Sequence, residues 1–432
     1  MTSTVQQFNL SNGLKVMLKE IHTAPLVSHW IWYGIGSRNE LPGKTGLSHW
    51  VEHMQFKGTE RFSGRHMDHA IAKTGGYWNA FTGEDWTTYF ETLPSSALDL
   101  AMEIEAARMR GSRFLVDEVE TERTVILSER EGNENEPRFR LAEAVQAAAF
   151  QQHPYRNEVI GLKSDLLAIT RDDLYGHYRN YYAPANALLC LAGDFDTSRV
   201  LKKIEKRYGV IPEIAVEKHT PLPEESPPPF QQIELFGPGE ASYIQVAYRC
   251  PQGNSEDFFA LTILDSLLAG PSSLNMFGSG GISNRTSRLY LALVDKGLAA
   301  SVSGGLNANI DPGTYNLNLT CNPAVKPGKL LKNLDQEIEK LRSKLAPRHE
   351  IRQAQKQAKA LFAYGSDNIT NQGFWMGYSC SFADYDWFLS YVEKLESVTP
   401  EAVMEAARKY LDPQYRVVGY YLPQNGSSHA QN

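Results

Sequence analysis

Cysteine is scarce. The four in this 432-residue chain, Cys190, Cys250, Cys321 and Cys380, stand dozens of residues apart and never as a CxxC pair, so neither a disulfide framework nor a thiolate zinc site is signalled. Free, buried thiols are the expectation. Positive charge is also short: 43 Lys and Arg against 50 Asp and Glu leave a formal charge of −7, so neither nucleic acid nor an anionic membrane surface is an expected partner. No run approaches the ~20 apolar residues that span a bilayer, and the opening MTSTVQQFNLSNGLKVMLKE has neither a signal-peptide apolar core nor an Arg-rich transit pattern. These absences describe a soluble chain. Its expected location is the cytoplasm, or the periplasm should a leader have been removed.

What is present is material for a large interior, with 42% apolar and 11% aromatic residues, more than a single core usually serves. Both halves share one texture. Residues 7–35 read as strands of alternating polarity with a hairpin turn at Asn12-Gly13, and QQIELFGPGEASYIQVAYRC from residue 231 repeats it. A helical segment follows each, GLSHWVEHM and then SRLYLALVDK. Long charged helices come next, around Val116 to Glu131 and Arg348 to Tyr364, and each half ends in helix plus strand. The predicted fold class is therefore α+β: two homologous domains, each a mostly antiparallel sheet packed with helices, related by internal duplication. The stretch from Pro221 to Phe230 holds five of the 22 prolines, the composition of an extended connector. The expected division is 1–220, a linker at 221–232, and 233–432.

The chemistry concentrates in GLSHWVEHMQFKGT, Gly46 to Thr59. On a helix from about Thr45 to Gln55, His49 and His53 stand at i and i+4 and present both imidazoles to one point. Glu52 falls at the edge of that face, able to touch whatever the histidines bind. The H-x-x-E-H order is that of a zinc site with the glutamate as base, and zinc needs one further protein ligand and an open position. Nothing in the local pattern says where that ligand comes from.

The landmarks NGLKVML, GKTGLSHWVEHMQFKGT, GGYWNAFTGEDWTTYF, ETERTVILSERE, HPYRNEVIG, YYAPANALLCLAGDF and SRLYLALV span nearly the whole chain. In them it resembles the pitrilysin/insulinase family of zinc metallopeptidases, the inverzincins, and within it the half-length processing-type members similar to the mitochondrial processing peptidase β subunit. The resemblance implies a distal metal ligand on a long helix, at the position of Glu129, and a supporting carboxylate two turns earlier at Glu122, acting from behind a histidine. Taken alone, ETERTVILSERE reads as a solvated charged helix. The resemblance further implies one Zn²⁺ per chain, Glu52 as general base, and an edge strand carrying Asn79, Ala80, Phe81 and Thr82 that holds the substrate backbone. The activity it implies is zinc metalloendopeptidase cleavage of short or unfolded polypeptides in a closed chamber.

The second half lacks what the first has. Residues 271–310 contain no histidine, so no second metal site is expected. Relatives that work as one unit carry an Arg and a Tyr where this chain has Val294 and Ala300. The resemblance therefore points to a heterodimer, with a related metal-free subunit supplying that pair; a homodimer is the runner-up. GPSSLNMFGSGGISN resembles the glycine-rich loop of the non-catalytic processing-peptidase subunit, and lacks the Lys of a phosphate loop. Two other readings stand beside the peptidase: a core or assembly subunit of a larger complex, and a module that captures extended peptides.

Overall fold

The computed structural model describes residues 4–224, 226–272, 274, 282–323 and 325–424. Eleven strands among these residues form two sheets. The first contains β1 (Gln6–Asn9), β2 (Lys15–Glu20), β3 (Leu26–Tyr33), β4 (Tyr77–Thr82), β5 (Thr87–Pro94) and β6 (Ala187–Gly193), in the order β1-β2-β6-β3-β5-β4. The second contains β7 (Gln231–Gly237), β8 (Tyr243–Arg249), β9 (Ala299–Leu306), β10 (Thr314–Cys321) and β11 (Arg416–Pro423), in the order β7-β11-β8-β10-β9. In each, one parallel pair, β2 with β6 or β7 with β11, is followed by three antiparallel pairings. The duplicated α+β pattern is therefore present as matching topology.

Fourteen α-helices lie among the described residues. They are α1 (Leu47–Met54), α2 (Gly64–Lys73), α3 (Leu98–Gly111), α4 (Val116–Glu134), α5 (Pro137–Ala149), α6 (Lys163–Ala168) and α7 (Arg171–Tyr181). From α8 (Thr197–Tyr208) they continue with α9 (Glu256–Leu268), α10 (Pro327–Ser343), α11 (Arg348–Tyr364), α12 (Ile369–Phe382), α13 (Tyr385–Ser397) and α14 (Pro400–Tyr410). The segment SRLYLALVDK, expected to be an ordinary helix, instead holds a short π-helical turn, Tyr290–Val294. Val294 ends that turn and Ala300 lies on β9. The glycine-rich run falls largely on residues 273 and 275–281, outside the described residues. No helix among the described residues is long and apolar enough to cross a membrane.

The chain forms two compact units, and they differ from a division at the linker. One comprises Met1–Arg130, Asn157–Pro221 and Ser366–Phe388; the other comprises Glu131–Arg156, Leu222–Gly365 and Leu389–Asn432. The cause is apolar burial. Helix α12 packs on β3 and β6, and Gly373 and Gly377, one turn apart, face Trp30 and Trp32 so closely that a Cβ at either would overlap the indole. In the other unit α5 packs on β8 and β11, with Leu141, Val145 and Ala149 in one cluster with Ala247, Val417 and Tyr421. β3, LVSHWIWY, is buried along all but its first residue, as a central strand covered on both faces must be.

A buried ionic cluster underlies the first sheet. Arg108 of α3, 2% exposed, pairs with Glu105 and lies 3.4 Å from Glu91 of β5. Its guanidinium carbon stands 5.2, 5.0 and 4.7 Å from the ring centroids of Phe56, Trp78 and Tyr89. His29 of β3 contacts Glu91 through Nδ1 at 3.0 Å and Tyr208 through Nε2 at 3.2 Å; burial lowers its pKa to about 4, so it stays neutral. Arg108 is the cation that faces both acids, and removing it leaves buried carboxylates uncompensated.

Two stability predictions follow from this packing. Arg108→Ala is expected to cost about 3–5 kcal/mol, read from the urea unfolding midpoint. Gly377→Val, which forces a side chain into the Trp32 indole, is expected to cost about 1–3 kcal/mol, read from the thermal midpoint.

Candidate metal centre

Helix α1 is short and its start is fixed from several sides. Gly46 at its N-cap has φ 90°, a left-handed conformation that glycine adopts without strain. The Gly46 and Ser48 N–H groups donate to the two oxygens of buried Glu40 at 2.7 and 2.6 Å, satisfying amides the helix itself cannot. Thr45 donates through N–H and hydroxyl to Asp165 at 3.1 and 2.7 Å. Leu47, Trp50, Val51 and Met54 are buried, which leaves His49, Glu52 and His53 on the remaining side.

Helix α4 lies alongside. Its buried residues Val119, Glu122, Ile126 and Arg130 recur at helical spacing and make one inward stripe. Arg123 fixes its relation to α1, with the guanidinium carbon 4.7 Å from the Trp50 ring centroid and nitrogens donating to the carbonyls of Leu166 and Ile169. Two turns separate Glu122 from Glu129, so both carboxylates face α1.

The structure brings the two helices' side chains together. His49, His53 and Glu129 each offer a ligand atom, all within 4.8 Å of one another. The His53 Nε2 to Glu129 Oε2 distance is 3.7 Å, close to the roughly 3.4 Å between ligand atoms of a tetrahedron with ~2.1 Å bonds. The two imidazole centroids are 4.6 Å apart. Nδ1 of His49 is buried with no hydrogen-bond partner among the described residues, a costly condition unless something polar enters. His53 has its Nδ1 on Glu122 Oε1 at 2.8 Å, which leaves Nε2 turned toward Glu129. The donor set, two imidazoles and one carboxylate, is one that zinc takes.

Electrostatics sorts these groups. Burial, with the neighbouring His53 charge, drives the His49 pKa down to about 3, so the ring is neutral at ordinary pH and keeps one nitrogen lone pair free. For His53 burial pulls downward, but the bond it donates to Glu122 and the charges of Glu52, Glu122 and Glu129 outweigh it and raise the pKa. Glu122 is itself 4% exposed; burial favours its neutral form, yet bonds from His53 and Lys57 hold its pKa low. Glu52 is pushed up by burial, against the pull of Thr82 and His53.

The four strand residues separate by side. β4 is an edge of its sheet, and its alternate side chains point oppositely. Phe81 stacks near Phe90 with centroids 6.2 Å apart, Asn79 folds back to accept from the Ala80 N–H at 2.9 Å, and Ala80 is buried. Thr82 bonds to α1: its hydroxyl donates to Glu52 Oε2 at 2.6 Å. Two contacts escaped the sequence reading, the Thr82 bond to Glu52 and the ion pair of Lys57 with Glu122. Lys57 stands at i+4 from His53, a hint of a shared neighbour, but only the fold brings α4 to it.

Comparison with known proteins gives the geometry a context. An uncharacterized zinc protease of Mycobacterium leprae is 28% identical over 325 residues, 73% of this chain and 68% of that protein. The mitochondrial-processing peptidase subunit beta of Lentinula edodes is 25% identical over 416 residues, 93% of this chain and 86% of that one. The crystal structure of a protease from Helicobacter pylori superposes with a TM-score of 0.89, covering 98% of this chain and 100% of its own at 24% identity, a likeness of fold. Two family models account for most of the sequence: "Insulinase (Peptidase family M16)" matches residues 15–163 and "Peptidase M16 inactive domain" matches residues 168–358. With both halves matched in order, and the H-x-x-E-H helix inside the first, the chain belongs to peptidase family M16, the insulinase family.

Proposed function

We propose that the protein is a zinc metalloendopeptidase holding one Zn²⁺ per chain through His49, His53 and Glu129. The observation that carries this reading is the convergence of three ligand atoms from two helices to within 4.8 Å, with Glu52 on the same helix as both histidines. Relatives named zinc proteases support the choice of metal. A zinc ion in that donor set supplies Lewis acidity, lowering the pKa of a bound water toward ~7 and polarising a peptide carbonyl. Glu52 then accepts the proton of the attacking water and delivers it to the departing amine. Its raised pKa, from burial, suits both halves of that transfer. Glu122 accepts from His53 Nδ1 and so fixes which nitrogen of that ring faces the ligand point. The β4 edge, Asn79 to Thr82, is the proposed ladder on which an extended substrate backbone lies.

The proposed working form is a heterodimer closing a chamber around short or unfolded polypeptides, with this chain as the zinc-bearing subunit. Apolar Val294 and Ala300, where the partner-independent relatives carry Arg and Tyr, support a related metal-free subunit over a homodimer. Co-purification from the native source tests it; cleavage by the isolated chain as fast as by any complex overturns it.

Three further outcomes are expected. Glu52→Gln keeps the shape and removes the base, so zinc content is retained while turnover falls at least about 10²-fold, measured with a quenched peptide. Chelation abolishes cleavage and zinc restores it. Glu122→Gln weakens zinc binding about 10–100-fold, measured by competition with a chromophoric chelator. A wild-type chain that binds zinc and cleaves nothing, alone or in its complex, would instead favour an assembly or peptide-capturing role.

A further inference from the structure

Glutamate reaches its target through three rotatable bonds, and a base that wanders among rotamers meets the reacting water only part of the time. Glu52 is not left to wander. Its Oε2 accepts from the Thr82 hydroxyl at 2.6 Å, within the 2.5–2.7 Å expected of a charge-assisted O–H···O⁻ bond. The donor is well made for holding. Thr82 is β-branched and stiff at χ1, sits on a strand rather than a loop, and is paired across the ladder with Thr87. Neighbouring side chains of the same face are themselves fixed, Ala80 by burial and Trp78 by edge contact with Phe56 at 4.8 Å and by the guanidinium of Arg108. The strand therefore offers a rigid hydroxyl to one carboxylate oxygen, Oε2, and leaves Oε1 outside that bond.

We infer that Thr82 is a positioning residue for the general base, acting through its hydroxyl on Glu52 and not on the substrate. The inference rests on the reading of Glu52 as base, and it changes the meaning of β4. The strand proposed to carry the substrate backbone also sets the carboxylate, so the base and the scissile bond are referred to one rigid element. Elsewhere on β4, Asn79 accepts from the Ala80 N–H and Phe81 stacks near Phe90.

The test replaces the hydroxyl and keeps the branched shape. In the complex in which the chain is active, Thr82→Val is expected to lower kcat about 10–100-fold, with KM within about twofold of wild type and zinc content unchanged. Thr82→Ser, which restores the donor, recovers most of kcat. Should valine unfold the chain, Thr82→Ala against Thr82→Ser gives the same comparison at a smaller side chain. Wild-type kcat in Thr82→Val, a loss carried by KM or by zinc content alone, or a serine variant no better than the valine one each overturns the inference. Glu52→Gln is measured beside them: full turnover there sinks the base assignment itself, whereas an inactive Glu52→Gln with an unimpaired Thr82→Val sinks only the role of Thr82.

Discussion

The hydrogen bond from His53 Nδ1 to Glu122 Oε1, 2.8 Å long, joins two helices that are distant in sequence and fixes the site's symmetry. Without it the His53 ring could present either nitrogen to Glu129; with it only Nε2 is available. It also sets the charge. Glu122 is buried enough that water cannot screen it, and Lys57 and His53 share its negative charge between them. A carboxylate isolated at that depth would take up a proton instead, and the ring would lose its charged acceptor.

Much of the rest of the first unit serves the relative placement of α1 and α4. Glu40 and Asp165 pin the start of α1, and Arg123 lies on Trp50 while its nitrogens close the carbonyls after α6. Below them, Arg108 is sandwiched among Phe56, Trp78 and Tyr89 and thereby ties the residue two past α1 to β4 and β5. The second unit repeats the sheet without the histidines. Duplication gave two copies of one scaffold, and the chemistry-bearing helix stands in one of them.

The local elements were legible wherever periodicity was strong. The H-x-x-E-H helix could be read directly because i, i+4 spacing fixes a face whatever surrounds it. Glu129 could not: the α4 sequence reads as a wet charged helix, and only resemblance to a family distinguished two of its acids from the others. Contacts that depend on tertiary approach left no local signal. Thr82 stood out only as one of four residues of a substrate-holding strand, and the partner of Lys57 left no trace, since nothing in either neighbourhood says what lies opposite. The same holds for SRLYLALVDK, where an apolar helical pattern folds in part as a π-turn. The compact units differ from a cut at the prolines for a related reason: α5 and α12 have ordinary helical patterns, and which sheet each covers is decided by shape, through Gly419 under α5 and Gly373 and Gly377 over the tryptophans.

That exchange makes the proline-rich connector a poor place to divide the gene. A fragment ending there would leave Trp30 and Trp32 wet, since the helix that covers them is encoded some 150 residues later, and the complementary fragment would lack α5. Neither product would be a shortened domain; each would be a sheet missing its lid. A gene break at the connector thus severs each sheet from a helix that dries it, because both units are encoded on both sides of that point.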